Sequence, residues 1–503
     1  MELSFDLYLE GLRFFSDPLM FLFAFSGVLV GIVFGALPGL TATMTIAVFI
    51  PFTFGVPAVQ SFAFLLGLYS GAVYGGSISA ILINIPGTPS AIATGFDGYP
   101  MCQQGRAGEA IGIATIASGL GGLFSVLILA LAAPLVAMIA LQFSAEEYVG
   151  ITLIGLSIVA IISPGSTVKG LIAATLGLIV GTVGLDPIGS APRMVFGRPE
   201  LFDGVSEIPV MIGMYGLSEM LIQIADDQHV NVVTQKLKNV LPSLRRIAKL
   251  IPTIIRSSVV GVAIGAVPAA GGSIASLVAY GQEKRFSRNR DRLGTGVPEG
   301  VAAPEAANNA STGGALIPMM TLGIPGDPMT AVLMGGLIIQ GLRPGPLLFQ
   351  EQLPFVSSIF ISLLISVVFM TTLGLFGARY FSRLISTPKR FLIPAVLLFC
   401  LIGSFAINNS MFDIGVLIAA GLVGFVLRKA GYPVAPVILG LILGPMFESN
   451  LRRSLMLSSG DWTTFVTRPI SLGFILVALF ILAGPPLIAA FRRALAAAQR
   501  RAS

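Results

Sequence analysis

The chain has 503 residues, of which 55% are hydrophobic and 11% are charged, and its mean hydropathy is +0.90. An ordinary soluble domain is about 25% charged, so this composition excludes a water-soluble globular protein. Two cysteines and one histidine exclude a disulfide framework and a Cys/His metal cluster, and the net charge of +6 lies in basic segments between apolar runs instead of the basic patch typical of nucleic-acid binding.

The N-terminal segment, residues 1–17, is more acidic than basic. It contains Glu2, Asp6 and Glu10 but only one cation, Arg13. A secretory signal peptide begins with a basic region, which is missing here. We therefore predict that this segment is retained as a helix at the membrane interface.

Long runs without charged residues follow. Residues 18–96 contain no Asp, Glu, Lys, Arg or His, and at about 20 residues per crossing they are long enough for about three or four membrane spans. Further runs with no charge or a single charge comprise residues 110–145, 148–185, 208–218, 257–282, 306–326, 328–342, 353–378, 391–427, 430–447 and 469–491. Because β-barrel strands would alternate in hydrophobicity over about ten residues, the runs predict an all-α polytopic membrane protein with about 11 or 12 transmembrane helices.

Basic segments separate two parts of the chain. Lys and Arg concentrate on the cytoplasmic side of membrane proteins, so we expect a basic cytoplasmic linker at residues 236–256 and a basic cytoplasmic tail at 492–503. The remaining chain forms a first membrane repeat, residues 18–235, and a second membrane repeat, residues 257–491.

Two patterns occur in both repeats. Gly31–Gly39 reads GIVFGALPG and returns at Gly261–Ala269 as GVAIGAVPA, with alanine where glycine is expected. The second pattern is Gly75-Gly76 followed by Pro86-Gly-Thr-Pro89, and its copy is Gly313-Gly314 followed by Pro325-Gly-Asp-Pro328. Proline removes a backbone donor and clashes with the preceding turn, so each pattern predicts a broken helix, and the Pro-Gly segments predict the tips of helical hairpins. Such a tip lines a protein cavity or forms a plain loop at the membrane surface.

The flanking charges predict that the two repeats are inverted. Residues 257–282 have cations on both sides, at Arg245–Arg256 and Lys284–Arg292, which predicts a re-entrant hairpin with both ends in the cytoplasm. The corresponding segment around Pro38 has only Arg13 before it and no cation until Arg106. We therefore expect the first repeat to point the opposite way.

Interrupted helices suit an anionic ligand. A helix N-terminus offers unpaired N–H groups and about half a positive charge, whereas a charged side chain at the bilayer centre costs about 3 kcal/mol. Each hydroxyl near the breaks either contacts substrate or packs between helices. The candidate substrate-binding residues are Pro38, Gly39, Thr41, Thr43, Ser77, Asn84, Pro86, Gly87, Thr88, Ser90, Ser311, Thr312, Pro325 and Gly326.

Oxygen-bearing side chains at the same breaks are candidates for binding a cation. Hard cations prefer oxygen ligands, which helix C-terminal carbonyls and neighbouring side chains supply. The candidates are Asn84, Asn308, Asn309 and Asp327. The alternative role of the Asn308-Asn309 pair is a structural cap, and that of Asp327 is to stabilise a turn.

Other charges have simpler interpretations. Glu299, Glu305 and Arg106 flank the hairpins, and contacts within cytoplasmic loops are preferred here over gating or ion relay. Arg452 and Arg453 are expected to anchor a helix end at the lipid boundary. A Gly/Pro-rich loop at residues 184–204 carries Asp186, Arg193, Arg198 and Asp203, and is long enough to dock a partner.

Longer motifs extend from about Gly27 to Phe491. They are Gly35–Thr41 (GALPGLT), Asn84–Pro89 (NIPGTP), Asp97–Met101 (DGYPM), Gly105–Glu109 (GRAGE), Pro298–Asn309 (PEGVAAPEAANN), Gly313–Pro318 (GGALIP), Gly323–Gly326 (GIPG), and Leu439-Gly to Gly444-Pro445 with Glu448 and Arg452-Arg453-Ser454. These motifs resemble the large membrane subunit of tripartite tricarboxylate transporters, the TctA family.

The resemblance implies a secondary transporter subunit of the bacterial inner membrane. Its partners would be a small TctB-like membrane subunit and a periplasmic TctC-like solute-binding protein. Its substrate would be a di- or tricarboxylate, citrate being the type example, coupled to an ion gradient, usually Na⁺. No organic cofactor, catalytic residue, protein-bound metal centre or nucleic-acid partner is expected.

Competing functions lack their motifs. An intramembrane enzyme would need a group such as the paired-Asp prenyl-diphosphate motif or His-Glu-x-x-His, and an ATP-driven pump would need Gly-x-x-x-x-Gly-Lys-Ser/Thr, none of which occurs in the sequence. A channel would not show saturable, gradient-dependent uptake. The alternative closest to the resemblance is a carboxylate carrier that works without a binding protein.

Overall fold

The computed structural model describes residues 5–162, 166–225, 237, 240–268, 270–384 and 387–484, which are mainly helical. The helices before the basic linker are α1 (Phe5–Phe14), α2 (Pro18–Ala36), α3 (Ala42–Phe49), α4 (Ala58–Ile83), α5 (Ile92–Gln103), α6 (Ala107–Ala140), α7 (Ala145–Ile162), α8 (Thr167–Gly181), α9 (Glu207–Met211) and α10 (Ser218–Ala225). The later helices are α11 (Leu244–Gly265), α12 (Gly271–Phe286), α13 (Pro298–Leu322), α14 (Pro328–Ile339), α15 (Leu348–Glu351), α16 (Leu353–Leu384), α17 (Lys389–Asn408), α18 (Met411–Lys429), α19 (Ala435–Leu457), α20 (Thr464–Thr467) and α21 (Pro469–Gly484).

Short irregular elements join these helices. Single 3₁₀ turns lie at Ile50–Thr53, Pro89–Ala91, Pro199–Leu201 and Arg290–Arg292, and a π-helix, Ile212–Leu217, joins α9 to α10. Two strands, β1 (Gly184–Leu185) and β2 (Pro192–Arg193), pair antiparallel with Gly184 opposite Arg193.

The prediction of an all-α polytopic membrane protein is confirmed. Within the described ranges, eight helices are long and apolar enough to cross a membrane: Pro18–Ala36, Ala58–Ile83, Ala107–Ala140, Glu207–Ala225, Leu244–Gly265, Leu353–Arg383, Arg390–Asn408 and Met411–Lys429. Four shorter apolar helices accompany them: Ala42–Thr53, Thr167–Gly181, Pro328–Ile339 and Pro469–Gly484. Inversion of the repeats stays a prediction, and residues 1–4, Ala269 and the basic tail lie outside the described residues.

The helices break where the repeated patterns predict. The α2 helix ends before Pro38 and α11 ends before Pro268, and a short helix follows each break. The α4 helix ends at Asn84 with φ +57°, and α13 ends at Gly323 with φ +69°. Both hairpins therefore turn through a left-handed residue, which glycine adopts freely and asparagine tolerates.

Glycines bring the first long helices of each repeat into close contact. A Cβ atom placed on Gly75 in α4 would lie 2.6 Å from the carbonyl O of Ile32 in α2, and one on Gly314 in α13 would lie 2.6 Å from that of Val262 in α11. Small residues allow such backbone approach between membrane helices. Because Ile32 and Val262 are equivalent in the first repeated pattern, Gly75 corresponds to Gly314, which shifts the alignment with Gly313 suggested by the sequence by one residue.

The helix pairs α2–α4 and α11–α13 each pack against a long helix of the other repeat. The α6 helix packs along α13, where a Cβ on Gly313 would lie 2.6 Å from the carbonyl O of Ser125. The α16 helix packs along α4, where a Cβ on Gly374 would lie 2.7 Å from the Tyr74 hydroxyl. This exchange brings residues of the two repeats into one buried region.

These helices form one of two compact units. The first unit comprises Met1–Leu141 and Ser206–Val426, and the second comprises Gln142–Val205 and Leu427–Ser503. Each unit therefore contains residues from both halves of the chain.

Ion pairs fix the 184–204 loop within the second unit. Arg452 donates to Asp186 at 2.7 Å, and Arg193 donates to Glu448 at 2.6 Å. Partial desolvation acts to raise the pKa of Asp186, but hydrogen bonds from the Gly189 N–H and Arg452 outweigh it and lower that pKa. Arg452 pairs with loop and helix carboxylates, and the anchoring of a helix end at the lipid boundary by Arg452 and Arg453 stays a prediction.

Candidate functional site

The N-terminus of α12 is open in the buried region of the first unit. The helix begins at Gly271, and the preceding Ala270 makes no side-chain hydrogen bond to its first turn. By contrast, Thr41 caps α3 through the Met44 N–H at 3.2 Å, and Asp327 caps α14 through the Thr330 N–H at 2.7 Å. The first N–H groups of a helix have no intrahelical partner, so α12 presents uncapped donors.

The side chain of Asn308 lies against this open helix end. Asn308 is fully buried in α13, and neither its Oδ1 nor its Nδ2 has a hydrogen-bond partner among the described residues. A Cβ atom placed on Gly272 would lie 2.6 Å from Asn308 Oδ1. A buried amide left without partners is costly, which makes this position a candidate for contact with a ligand.

The same point is bordered by hydroxyl-bearing residues from both repeats. That Cβ on Gly272 would lie 2.9 Å from Ser311 Oγ in α13 and 3.5 Å from the Cβ of Ser90, which follows the first hairpin tip. Asp327, in the second hairpin tip, lies beside Gly271, whose added Cβ would be 3.0 Å from that of Asp327. Both tips therefore border the first turn of α12.

This arrangement has the chemistry of a small anion site. The uncapped N–H groups of α12 carry the positive end of the helix dipole. The Asn308 amide adds a neutral donor, and the buried hydroxyl-bearing residues Ser90 and Ser311 border the same helix turn. The Ser311 hydroxyl itself donates to the Asn308 carbonyl O at 2.7 Å. A carboxylate can be bound here without placing a cationic side chain in the membrane.

Asp327 is fully engaged in local structure. Its Oδ1 accepts from the Thr330 N–H at 2.7 Å and from the Thr330 hydroxyl at 2.8 Å, and its Oδ2 accepts from the Tyr69 hydroxyl at 3.0 Å. The Thr330 hydroxyl lies 2.9 Å from the Asp327 N–H and completes a capping box. These contacts favour the turn-stabilising interpretation of Asp327.

Most of the other predicted substrate residues are of two kinds. Some are glycines in close contact with a neighbouring backbone, and others carry hydroxyls that hydrogen-bond locally. Gly87 contacts Gly76, and Gly326 contacts Ala315, at equivalent positions of the two hairpins. The hydroxyls of Ser77, Ser311 and Thr312 lie within hydrogen-bond distance of carbonyls in their own helices, and those of Thr88 and Ser90 are 3.0 Å apart. Pro325 is buried, whereas Pro38, Thr43 and Pro86 are half-buried.

Asn84 and Gly39 have other surroundings. Asn84 is exposed at the left-handed end of α4. Gly39 turns with φ +86°, and its carbonyl O accepts from Gln223 Nε2 at 2.8 Å. The Gly39 turn is therefore held by α10, a contact that the sequence pattern did not indicate.

The chain matches one protein family over most of its length. Residues 21–439 match the Tripartite tricarboxylate transporter TctA family. The chain belongs to this TctA family. Membership identifies a component of a tripartite transporter, in agreement with the membrane-spanning helices and the resemblance seen in the sequence.

Two relatives of this TctA protein come from Agrobacterium vitis. An uncharacterized 52.8 kDa protein in the TAR-I ttuC' 3'region is 38% identical over 462 residues, which are 92% of each chain. An uncharacterized protein in the TAR-II ttuC' 3'region is 39% identical over 227 residues, 44% of this chain and 94% of the relative. No solved structure matches.

Asp97 in the TctA signature DGYPM is a buried carboxylate that sequence reasoning left without a role. It accepts from the N–H groups of Gly294 and Gly296 at 2.9 Å, from that of Val297 at 2.8 Å, and from the Tyr280 hydroxyl at 2.9 Å. These donors belong to the second repeat. Asp97 therefore joins α5 to the loop that leads into α13.

Glu305 is not a cytoplasmic loop residue, so that interpretation is wrong. It lies within α13 with a fully buried side chain. Arg106 and Glu299 do make loop contacts, since Arg106 donates to the Gly296 carbonyl O at 3.1 Å and Glu299 accepts from Asn289 at 2.9 Å. The Ala-rich sequence around Glu305 did not indicate that its side chain would be fully buried, in contrast to those of Glu299 and Arg106.

Proposed function

We propose that this chain is the large permease subunit of a tripartite secondary transporter in the bacterial inner membrane. It imports a di- or tricarboxylate of the citrate class, coupled to an ion gradient, with Na⁺ as the coupling ion. A periplasmic solute-binding protein delivers the substrate, and a small membrane subunit completes the complex. Family membership supports the tripartite assembly.

The observation that carries the substrate class is the unpartnered Asn308 amide at the uncapped start of α12. A carboxylate placed there accepts from the α12 N–H groups, from the Asn308 Nδ2 and from hydroxyls beside it. Binding satisfies polar groups that are otherwise buried without partners. Because Ser90 and Asn308 come from different repeats, a bound anion contacts both.

Transport requires that access to this position alternates between the two sides of the membrane. Interrupted helices at the repeat interface are where secondary transporters bind substrate, and movement of one repeat against the other changes access. The left-handed residues Asn84 and Gly323 end the long helices at the two tips. The short segments after them are suited to small rearrangements without melting α4 or α13.

The deciding experiment is uptake in proteoliposomes with the small subunit and the binding protein. A panel of labelled di- and tricarboxylates is offered with an imposed Na⁺ gradient. Asn308→Ala is expected to abolish uptake while its membrane expression equals that of the parent chain. The matched control is Asn450→Ala in the second unit, whose amide donates to the Met446 carbonyl O at 2.7 Å.

The results separate the alternatives. Uptake that needs the binding protein supports the tripartite transporter, whereas equal uptake without it identifies a stand-alone carboxylate carrier. Unchanged uptake by Asn308→Ala removes this residue from the substrate site. Uptake that does not respond to Na⁺ rejects sodium coupling.

A further inference from the structure

The carboxylate of Glu305 is buried between three helices, and its hydrogen bonds within the described part of the chain come from two hydroxyls. Its Oε1 accepts from Thr94 Oγ1 in α5 at 2.5 Å, and its Oε2 accepts from Ser118 Oγ in α6 at 2.8 Å. All three side chains are fully buried. Among the described residues, no Lys, Arg or His forms an ion pair with Glu305.

Four other buried carboxylates among the described residues are better compensated. Glu283 pairs with Arg256, and Glu147 pairs with Arg468 at 2.8 Å. Asp97 has three backbone N–H donors, and Asp327 is part of a capping box. An isolated ionised carboxylate in a low-dielectric interior is expensive, so the ionised form of Glu305 calls for a positive charge beside it.

We propose that Glu305, Thr94 and Ser118 form the binding site of the coupling Na⁺ ion. The carboxylate supplies charge, and each hydroxyl has lone pairs that can face a cation when its proton turns away. Oxygen atoms are the ligands that hard cations prefer. Asn309 lies one turn further along α13, and its Nδ2 donates to the Glu305 carbonyl O at 3.2 Å, which holds the backbone of this turn.

The proposed Na⁺ site lies next to the proposed carboxylate site, which gives the ion a role in coupling. Asn308 follows Glu305 by three residues on α13, and Thr94 follows Ser90 by four residues. At 1.5 Å rise per residue the step within α13 is about 4.5 Å, and Ser90 lies in the 3₁₀ turn that precedes α5. The cation would therefore lie about one helical turn from the anion, where opposite charges favour each other's binding.

The same ion would join the two repeats. Glu305 belongs to α13 of the second repeat, whereas Thr94 and Ser118 belong to the first. A cation held between them stabilises the arrangement in which Ser90 lies near Asn308. This inference rests on the proposed function because it assigns the coupling ion of that transport cycle.

The test is Na⁺ binding to the purified full chain in nanodiscs. Saturable binding of radioactive ²²Na⁺ is measured in a choline chloride background, without substrate. Glu305→Gln keeps the shape of the side chain but removes its charge, and it is expected to weaken Na⁺ binding at least tenfold. Thr94→Val keeps the charge and removes one oxygen, and it is expected to weaken binding several-fold.

Matched controls come from the same unit. Glu351→Gln replaces an exposed carboxylate, and Ser358→Ala removes a buried hydroxyl that donates to the Phe355 carbonyl O at 2.7 Å. Both controls are expected to bind Na⁺ as the parent chain does. A thermal unfolding curve in choline chloride establishes that each variant is folded before its binding is compared.

Carboxylate uptake in proteoliposomes is measured in parallel. Loss of Na⁺ binding in Glu305→Gln and Thr94→Val supports the site, even where the parent chain transports no carboxylate and the proposed function fails. Parental Na⁺ binding by folded Glu305→Gln overturns the site, even where uptake is sodium-driven. Absence of saturable Na⁺ binding by the parent chain, with uptake driven by a proton gradient, also overturns it.

Discussion

Tyr69 and Asn308 occupy equivalent positions in the two repeats, each 17 residues before the first proline of its hairpin tip, Pro86 or Pro325. The Tyr69 hydroxyl donates to Asp327, in the tip of the second repeat, at 3.0 Å. Asn308 lies on the side of the first tip but has no partner among the described residues. The second tip is therefore held by Tyr69, whereas Asn308 makes no equivalent contact with the first tip.

Adding one methyl group at Gly272 should obstruct the proposed carboxylate site. The Cβ of Gly272→Ala would lie 2.6 Å from Asn308 Oδ1 and 2.9 Å from Ser311 Oγ, so both side chains must shift out of place. Losing about one well-placed hydrogen bond corresponds to about a tenfold loss of affinity. The carboxylate concentration that gives half-maximal uptake should therefore rise by about tenfold or more.

The control for this variant lies in the same helix. Nothing lies within 4 Å of a Cβ placed on Gly281, so Gly281→Ala should leave uptake unchanged. Both variants should express equally, since alanine favours helix over glycine by about 1 kcal/mol. If Gly272→Ala has the same half-saturating carboxylate concentration as the parent chain, the substrate does not occupy the space beside Gly272.

The Asp97 carboxylate should be required for the order of the loop before α13. Asp97→Asn removes the negative charge that the Gly294, Gly296 and Val297 N–H groups surround. It also replaces Oδ2, which accepts from the Gly294 N–H and the Tyr280 hydroxyl, by an amide nitrogen that cannot accept, whereas Oδ1 is kept. Hydrogen bonds to a buried charge contribute about 1.5–3 kcal/mol each, so a cost of about 2–3 kcal/mol is expected even if the loop adjusts. Thermal unfolding and limited proteolysis across residues 287–297 measure the effect.

Asp291→Asn is the matched control for Asp97→Asn. Asp291 lies in the same loop, but its side chain is 93% exposed. This variant should unfold and resist protease as the parent chain does. Equal behaviour of the two variants would contradict the role given to Asp97.

The sequence predicted the breaks in the helices better than the contacts across them. Proline and glycine act on the backbone nearest to them, so Pro86 and Pro325 locate the hairpin tips without knowledge of the fold. Asn308 was noticeable because it is polar in an Ala-rich helix. Glu305 and Thr94 meet across 211 positions of sequence, and no local pattern records such a pairing.

Close packing explains why Gly272 was also missed. Its surroundings depend on the α13 residues Asn308 and Ser311 and on Ser90, all brought together only by tertiary structure. Asn84 is the opposite case. It was predicted as a site residue because it lies close to Pro86-Gly87 in the sequence, but it is exposed at the end of α4. A position near a helix break in the sequence therefore does not establish that a residue lies in the buried cluster around Gly272.

Glycine contacts between α2 and α4 should be essential for stability. In Gly31→Ala the new Cβ would lie 2.5 Å from the Leu68 carbonyl O, a backbone atom that cannot rotate away. Overpacking of this kind costs about 1–3 kcal/mol. The midpoint of thermal unfolding in nanodiscs should fall, whereas Gly415→Ala in α18, where nothing lies within 4 Å of the added Cβ, should leave it unchanged.

Asp327 offers a test between capping and ion binding. Asp327→Asn retains an oxygen that accepts from the Thr330 N–H, and its amide can donate to the Tyr69 hydroxyl, which then accepts. We therefore expect Asp327→Asn to keep both the unfolding midpoint and the half-saturating Na⁺ concentration of uptake close to those of the parent chain. Asp327→Ala removes the cap, which costs about 1 kcal/mol, and its unfolding midpoint should fall. If Asp327→Asn instead raises the half-saturating Na⁺ concentration at least tenfold while remaining folded, Asp327 is an ion ligand, because only the lost charge distinguishes the two side chains.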